Sequence, residues 1–124
     1  MLNNEAQACI TRTLLSPVSA AATVNATSAW VDVRESVGDI MVVVNMGALT
    51  GSLTWTIEHA NDGAGTGGVA IVPNEGAYAA GAAKSTQKRT ISANACRGLI
   101  RCVGTIVTGP ALVSASASAR PRNA

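Results

Sequence analysis

The chain has 124 residues, of which 48% are hydrophobic and only 13% are charged, about half the charged fraction usual in soluble domains. This length predicts one domain with a single core. The net charge of +2 and the dispersed basic residues do not indicate a nucleic-acid-binding protein. With two Trp, one Tyr and no Phe, the core depends on small aliphatic side chains that bury little area each. We therefore expect an oligomer or a component of a larger assembly.

The first 17 residues show no strong periodicity and end at Ser16-Pro17, where the residue before proline disfavours helix. We predict an N-terminal arm over residues 1–17 and a β-sandwich domain over residues 18–124. The apolar stretch that begins at Leu14 is not expected to belong to a targeting signal, because Asn3, Asn4 and Glu5 stand where a basic region is usual and Arg12 interrupts the segment. The longest apolar run, Ile40–Val44, is too short to span a membrane.

Beyond the arm, apolar residues recur with a period of two, which is typical of strands. Residues 29–33 alternate, and residues 38–47 carry apolar side chains on both faces, as expected of a central strand. A third strand runs to His59. The Thr50-Gly51 turn before it predicts a hairpin over Ile40–His59. The expected core positions of these two strands are Ile40, Val42, Val44, Met46, Leu53, Trp55 and Ile57.

The second half of the chain predicts four more strands, two of them short. The short strands cover residues 69–72 and 88–92, with a long connection over residues 74–87 between them. Residues 98–109 and 111–119 are joined by a Gly109-Pro110 turn, and small apolar residues alternate with serine in the last strand. Short strands with frequent turns predict an all-β, antiparallel sandwich, either jelly-roll or immunoglobulin-like, with an extended N-terminal arm.

The glycine-rich stretch Gly63–Gly68 resembles a phosphate-binding loop in composition only. Such a loop binds phosphate when it leads into a helix whose N-terminus faces the ligand. Here the next element is a predicted strand ended by Pro73. We therefore interpret the stretch as a turn, and we predict no cofactor.

The polar residues do not form a recognisable catalytic or metal site. His59, the one histidine, lies near Asp62, but the serines follow no Gly-x-Ser-x-Gly pattern, so we interpret His59 as an exposed residue at a strand end. Three cysteines without metal-ligand spacing predict free thiols in a reducing compartment. Trp30, Trp55 and Tyr78 are interpreted as core residues, not as base-stacking or sugar-binding aromatics. We predict no enzyme and no metal site.

Two stretches resemble a family of small tailed-bacteriophage virion proteins. The first is GDIMVVVNMGALTGSLTWTIEHANDG, with its GALTG turn and its polar HANDG corner; the second is RGLIRCVGTIVTGPALVSASASARPR. The resemblance covers Thr23–Arg122. The sequence departs from the family at Leu99, which stands where an aromatic residue is usual, and in lacking a Gly-Asp-rich start.

The resemblance implies a head decoration, or cement, protein that binds the major capsid protein. It implies a location on the outer surface of the virion, after assembly in the bacterial cytoplasm, and no contact with nucleic acid or membrane. Symmetric capsid positions favour a homo-oligomer, and we expect a trimer before a dimer. The alternative is a tail or fibre accessory domain that recognises a host surface or carbohydrate. A small hydrolase built on His59 and Asp62 is the third hypothesis.

Overall fold

The computed structural model describes residues 10–81 and 83–121, and it consists of two antiparallel four-stranded sheets packed face to face. The strand orders are β1-β8-β3-β6 and β2-β7-β4-β5. The predicted antiparallel sandwich is confirmed, and these orders are those of the jelly roll. The strands are β1 (Ile10–Ala20), β2 (Val31–Asp32), β3 (Ser36–Leu49), β4 (Leu53–Ala60), β5 (Val69–Ile71), β6 (Ser85–Ser92), β7 (Leu99–Ile106) and β8 (Ala111–Pro121), with 3-10 turns at Thr23–Ala26 and Ala93–Ala95.

The core lies between the sheets and is built by the alternating positions predicted from the sequence. β3 lies between β8 and β6, which confirms the prediction of a central strand. Trp55 of β4 is 2% exposed, and the Tyr78 hydroxyl donates a 2.8 Å hydrogen bond to the carbonyl of Val42. Apolar burial of this kind is the main favourable term in folding. The fully buried side chains include Ile40, Val42, Val44, Leu53, Ile57, Ile91, Ile100 and Cys102.

The predicted hairpin over Ile40–His59 is wrong. β3 pairs with β6 and β8, whereas β4 pairs with β5 and β7 in the other sheet. The Thr50-Gly51 turn therefore carries the chain from one sheet to the other. β7 and β8 are likewise in different sheets, although the sequence places them in succession. A tight turn is equally compatible with pairing and with a crossing between layers, so turn chemistry alone does not assign strand partners.

Part of the predicted N-terminal arm belongs to the sandwich. Residues 1–9 lie outside the described residues, but residues 10–17 form most of β1 and pair with β8 from Ile10↔Ala119 onward. Leu14 is 6% exposed and packs in the core. The boundary expected at Pro17 coincides instead with a register irregularity between Leu15 and Val18. Edge strands accept such irregularities because one side of their backbone has no partner strand.

Candidate interaction face

The outer side of sheet β1-β8-β3-β6 is rich in hydroxyl groups at its centre, and its exposed charged residues are Lys88 and, toward one end, Asp39 and Arg120. In β8 the residues Ala111, Val113, Ala115 and Ala117 are buried, so the serines between them face outward. The strand register places neighbouring side chains in rows across the four strands. We call this surface the hydroxyl face; its residues are Thr11, Thr13, Ser114, Ser116, Ser118, Met41, Val43, Asn45, Thr86, Lys88 and Thr90.

Hydrogen bonds between side chains order the hydroxyl face before any partner binds. The Asn45 amide donates to the Ser114 hydroxyl at 3.2 Å and accepts from the Thr86 hydroxyl at 2.9 Å, which links three strands. Thr11 and Ser118 hydroxyls lie 3.0 Å apart. Short side chains that already bond one another lose little rotamer freedom on binding, so association costs less entropy.

A shallow groove extends the hydroxyl face toward the turn between β3 and β4. Its volume is about 310 Å³, and Asn45, Gly47 and Ser114 line it together with Pro17 and Val18 of β1. Leu112, which also lines the groove, is 48% exposed, and Val18 is 37% exposed. Apolar side chains inside a surface depleted of charge are the composition found at the centre of protein–protein interfaces.

The opposite sheet carries a different surface, centred on Trp30. The Arg101 guanidinium lies over the Trp30 ring at 4.5 Å from its centre, and it forms an ion pair with Glu58 at 2.7 Å. The glycine-rich loop packs against the same ring: a Cβ on Gly65, which has φ +84°, would lie 3.3 Å from the indole nitrogen. Arg101 and the glycine-rich loop therefore leave Trp30 half-buried on the outside of the sheet. The prediction of Trp30 as a core residue is wrong.

The glycine-rich loop is a corner, as predicted from the sequence. The Asp62 carboxylate accepts hydrogen bonds from the backbone amides of Ala64 at 2.9 Å and Thr66 at 3.1 Å. Hydrogen bonds from Thr66 hold the pKa of Asp62 below its usual range. The Arg97 guanidinium donates to the carbonyl of Gly67 and ties the loop to the start of β7. The carboxylate thus closes a turn.

His59 is buried, so its interpretation as an exposed strand-end residue is wrong. Its exposed fraction is 8%. The segment at Arg97, before β7, packs against it, and the Arg97 backbone amide donates a hydrogen bond to Nδ1 at 3.3 Å. Burial, and after it the positive charge of Arg97, lowers the pKa of His59. Asp62 uses its carboxylate for the loop amides, so the residues considered for a hydrolase have structural roles here.

The remaining candidate residues give no ligand cluster. Cys96 and Cys102 are free thiols, and burial raises the pKa of each to about 11; Cys9 lies outside the described residues. Within residues 10–81 and 83–121 there is no group of three or more side chains suited to hold a metal ion. Over the same residues, no helix is long and apolar enough to cross a membrane.

Comparison with known proteins shows a likeness of fold. No protein-family model and no curated protein matches the sequence. The SPBc2 prophage-derived protein YomS is similar with a TM-score of 0.56 and 9% identity, over 90% of this chain and 93% of that one. The infectious bursal disease virus VP2 subviral particle gives 0.45 and 12% identity, over 90% of this chain and 32% of that one. At these identities the first likeness concerns the fold alone, and the second, with its lower TM-score, adds nothing to it.

Proposed function

We propose that this protein is a structural virion protein that decorates the outside of a phage head and stabilises the major capsid lattice. The hydroxyl face carries the proposal, because its side chains are hydrogen-bonded to one another and Lys88 is the one charged residue among them, with the Glu75 carboxylate bound to Thr90 at the margin. Such a surface fits a large, rigid protein partner better than it fits a small substrate. The sequence resemblance to phage virion proteins and the fold shared with a prophage-derived protein support the same function.

The hydroxyl face alone is smaller than a standard protein–protein interface. Three rows across four strands cover about 14 Å by 14 Å at the usual strand and residue spacings. The area of this patch is about a quarter of the 800 Å² that each partner buries in a standard interface. The groove at Leu112 and Val18 is contiguous with the face through Ser114 and Asn45 and extends the contact area. The proposed interface therefore includes both.

The decisive experiment is cosedimentation with heads that lack this protein. The heads come from the phage or prophage whose gene cluster contains this gene, after deletion of the gene. We expect saturable binding of the purified full chain and a higher temperature of head disruption. Absence of binding would reject the capsid function and leave the jelly-roll fold unaffected.

A matched pair of variants assigns the binding to the hydroxyl face. Ser116→Arg places a charge at the centre of the face, while Thr105→Arg places one on the exposed outer side of the other sheet. We expect Ser116→Arg to weaken head binding at least about tenfold, since an unpaired charge within an interface is costly to desolvate. Thr105→Arg should bind like the unmodified chain. Equal binding by both variants would exclude the hydroxyl face.

The tail or fibre alternative depends on exposed aromatic residues. Trp55 and Tyr78 are buried, and one face of the Trp30 ring is covered by Arg101. None of these three aromatic side chains is fully exposed, since Trp30 is itself half-buried, and the capsid proposal is therefore preferred.

A further inference from the structure

A cavity of about 180 Å³ lies at the side of the sandwich that is bordered by the edge strands β1 and β2. Two small side chains of β8, Ala117 and Ala119, line it together with Ile10 of β1. Ile10 is 43% exposed, although it is apolar. The volume exceeds the about 150 Å³ of a protein cavity that accepts benzene, so the space is large enough for an aliphatic side chain. The described residues therefore leave an apolar depression open on this side.

Four charged side chains of alternating sign lie beside this cavity. Arg12 is on the inner face of β1, because it is opposite the buried Ala117, and it lines the cavity together with Asp32 and Glu35. The Arg34 guanidinium donates to both carboxylate oxygens of Asp32 and forms an ion pair with it at 2.7 Å. We call these residues the charge series, in the order Arg12, Asp32, Arg34 and Glu35.

The members of the charge series act on one another in that order. Hydrogen bonds from Arg34 and, as the smallest contribution, the positive charge of Arg12 lower the pKa of Asp32 to about 2. Hydrogen bonding to Asp32 and, less strongly, the negative charge of Glu35 raise the pKa of Arg34. Each charge thus has a neighbour of opposite sign.

The two ends of the charge series lack a direct partner. The ion pairs within residues 10–81 and 83–121 are Arg34–Asp32 and Arg101–Glu58, and neither includes Arg12 or Glu35. Both of these side chains are exposed. An unpaired cation and an unpaired carboxylate therefore lie on opposite walls of one apolar cavity.

A series of alternating charges is complementary to itself when it is reversed. A second copy related by a two-fold axis presents the charge series in the opposite direction, since a two-fold interface uses the same surface on both subunits. Arg12 then faces Glu35 of the second copy, and Asp32 faces Arg34 of the second copy. Opposite charges meet at every position, which favours this partner and orientation over others.

We propose that two copies of this chain form a dimer through this side, with each Arg12 paired to Glu35 of the other copy and each Ile10 packed into the cavity of the other. The contact uses side chains and does not join the sheets, because an inward charge and a proline, such as Arg12 and Pro17 of β1, disfavour pairing between edge strands. The dimer differs from the trimer expected from capsid symmetry. It leaves the hydroxyl face uncovered and is independent of head binding.

The test is sedimentation equilibrium of the full chain, from about 10 to about 500 µM, a range suited to a small interface. We expect the mass to rise with concentration from one copy to two. Arg12→Glu and Glu35→Arg each place like charges at both contacts, so each should weaken dimerisation at least about tenfold. Lys88→Glu, on the hydroxyl face, is the control and should dimerise like the unmodified chain.

Mixing the two weakened variants makes the test specific. In a mixture of Arg12→Glu and Glu35→Arg, one copy of each variant brings opposite charges together at both contacts, so dimers should form again. Circular dichroism of each variant alone checks that it is folded. The proposal is overturned if the unmodified chain stays monomeric or forms trimers, if either variant dimerises like the unmodified chain, or if the mixture stays monomeric.

Discussion

At the scale of single residues, His59 is a polar side chain that is buried and hydrogen-bonded within the fold. It is the last inward-facing residue of β4 and continues the alternating row of Leu53, Trp55 and Ile57. The return of the chain at Arg97 buries it and gives Nδ1 a backbone donor. The alternation of β4 therefore indicated the burial of His59, whereas its hydrogen-bond partner lies 38 positions away along the sequence and was not predictable from one strand. Asp62 was predictable as part of a turn, because aspartate commonly bonds to backbone amides near it.

The buried state of His59 predicts a loss of stability on mild acidification. Its pKa is lowered in the folded chain, so above about pH 6.5, the ordinary value, the contribution to stability is fully present. As the pH falls below that value, the unfolded chain takes up a proton that the folded chain does not, and stability decreases. Urea unfolding between about pH 7.5 and 5.5, where histidine titrates, measures this loss. In His59→Gln, which keeps an acceptor but does not titrate, the unfolding midpoint should change less; an equal change would assign the effect to other groups.

At the scale of elements, the sequence predicted strands better than it predicted their partners. Alternation placed Ile40, Val42 and Trp55 correctly in the core, and the Ser-Ala alternation of β8 correctly indicated one outward polar side. Pairing depends on contacts between distant segments, such as Asn45 with Ser114, and a single strand does not encode them. For the same reason the hydroxyl face, whose rows combine four strands from both ends of the chain, was not predictable as a surface.

β1 provides an element-scale prediction about truncation. Deletion of residues 1–17 removes Leu14 from the core and leaves the β1-facing edge of β8 without most of its partner strand. Losing a buried leucine alone costs about 2–5 kcal/mol, so the urea midpoint should fall strongly or the chain should not fold. Deletion of residues 1–9 keeps every described contact of β1 and is the control. If the longer deletion unfolded at the same urea concentration as the shorter one, β1 would not contribute to the stability of the sandwich.

At the scale of the whole molecule, the jelly roll separates two outer surfaces of different chemistry. One has the hydroxyl face at its centre, where Lys88 is the one charged residue, and it carries Glu75, Asp39 and Arg120 only at its margins. The other carries the Arg101–Glu58 and Arg34–Asp32 ion pairs and Arg97. Screening by salt weakens interactions between exposed charges and leaves apolar and neutral hydrogen-bonded contacts almost unchanged. Binding through the charged surface should therefore weaken as the ionic strength rises, whereas binding through the hydroxyl face should change little.

If the hydroxyl face binds the capsid, the affinity for heads should change by less than about threefold between roughly 50 and 500 mM NaCl. Over this range of salt the electrostatic screening length falls from above to below about 10 Å. Quantitative cosedimentation at both salt concentrations measures this, and Lys88→Gln should reduce even that small dependence. A much larger loss of binding at high salt would place the contact on the charged sheet. Arg34→Gln would then weaken head binding, whereas Ser116→Arg would not.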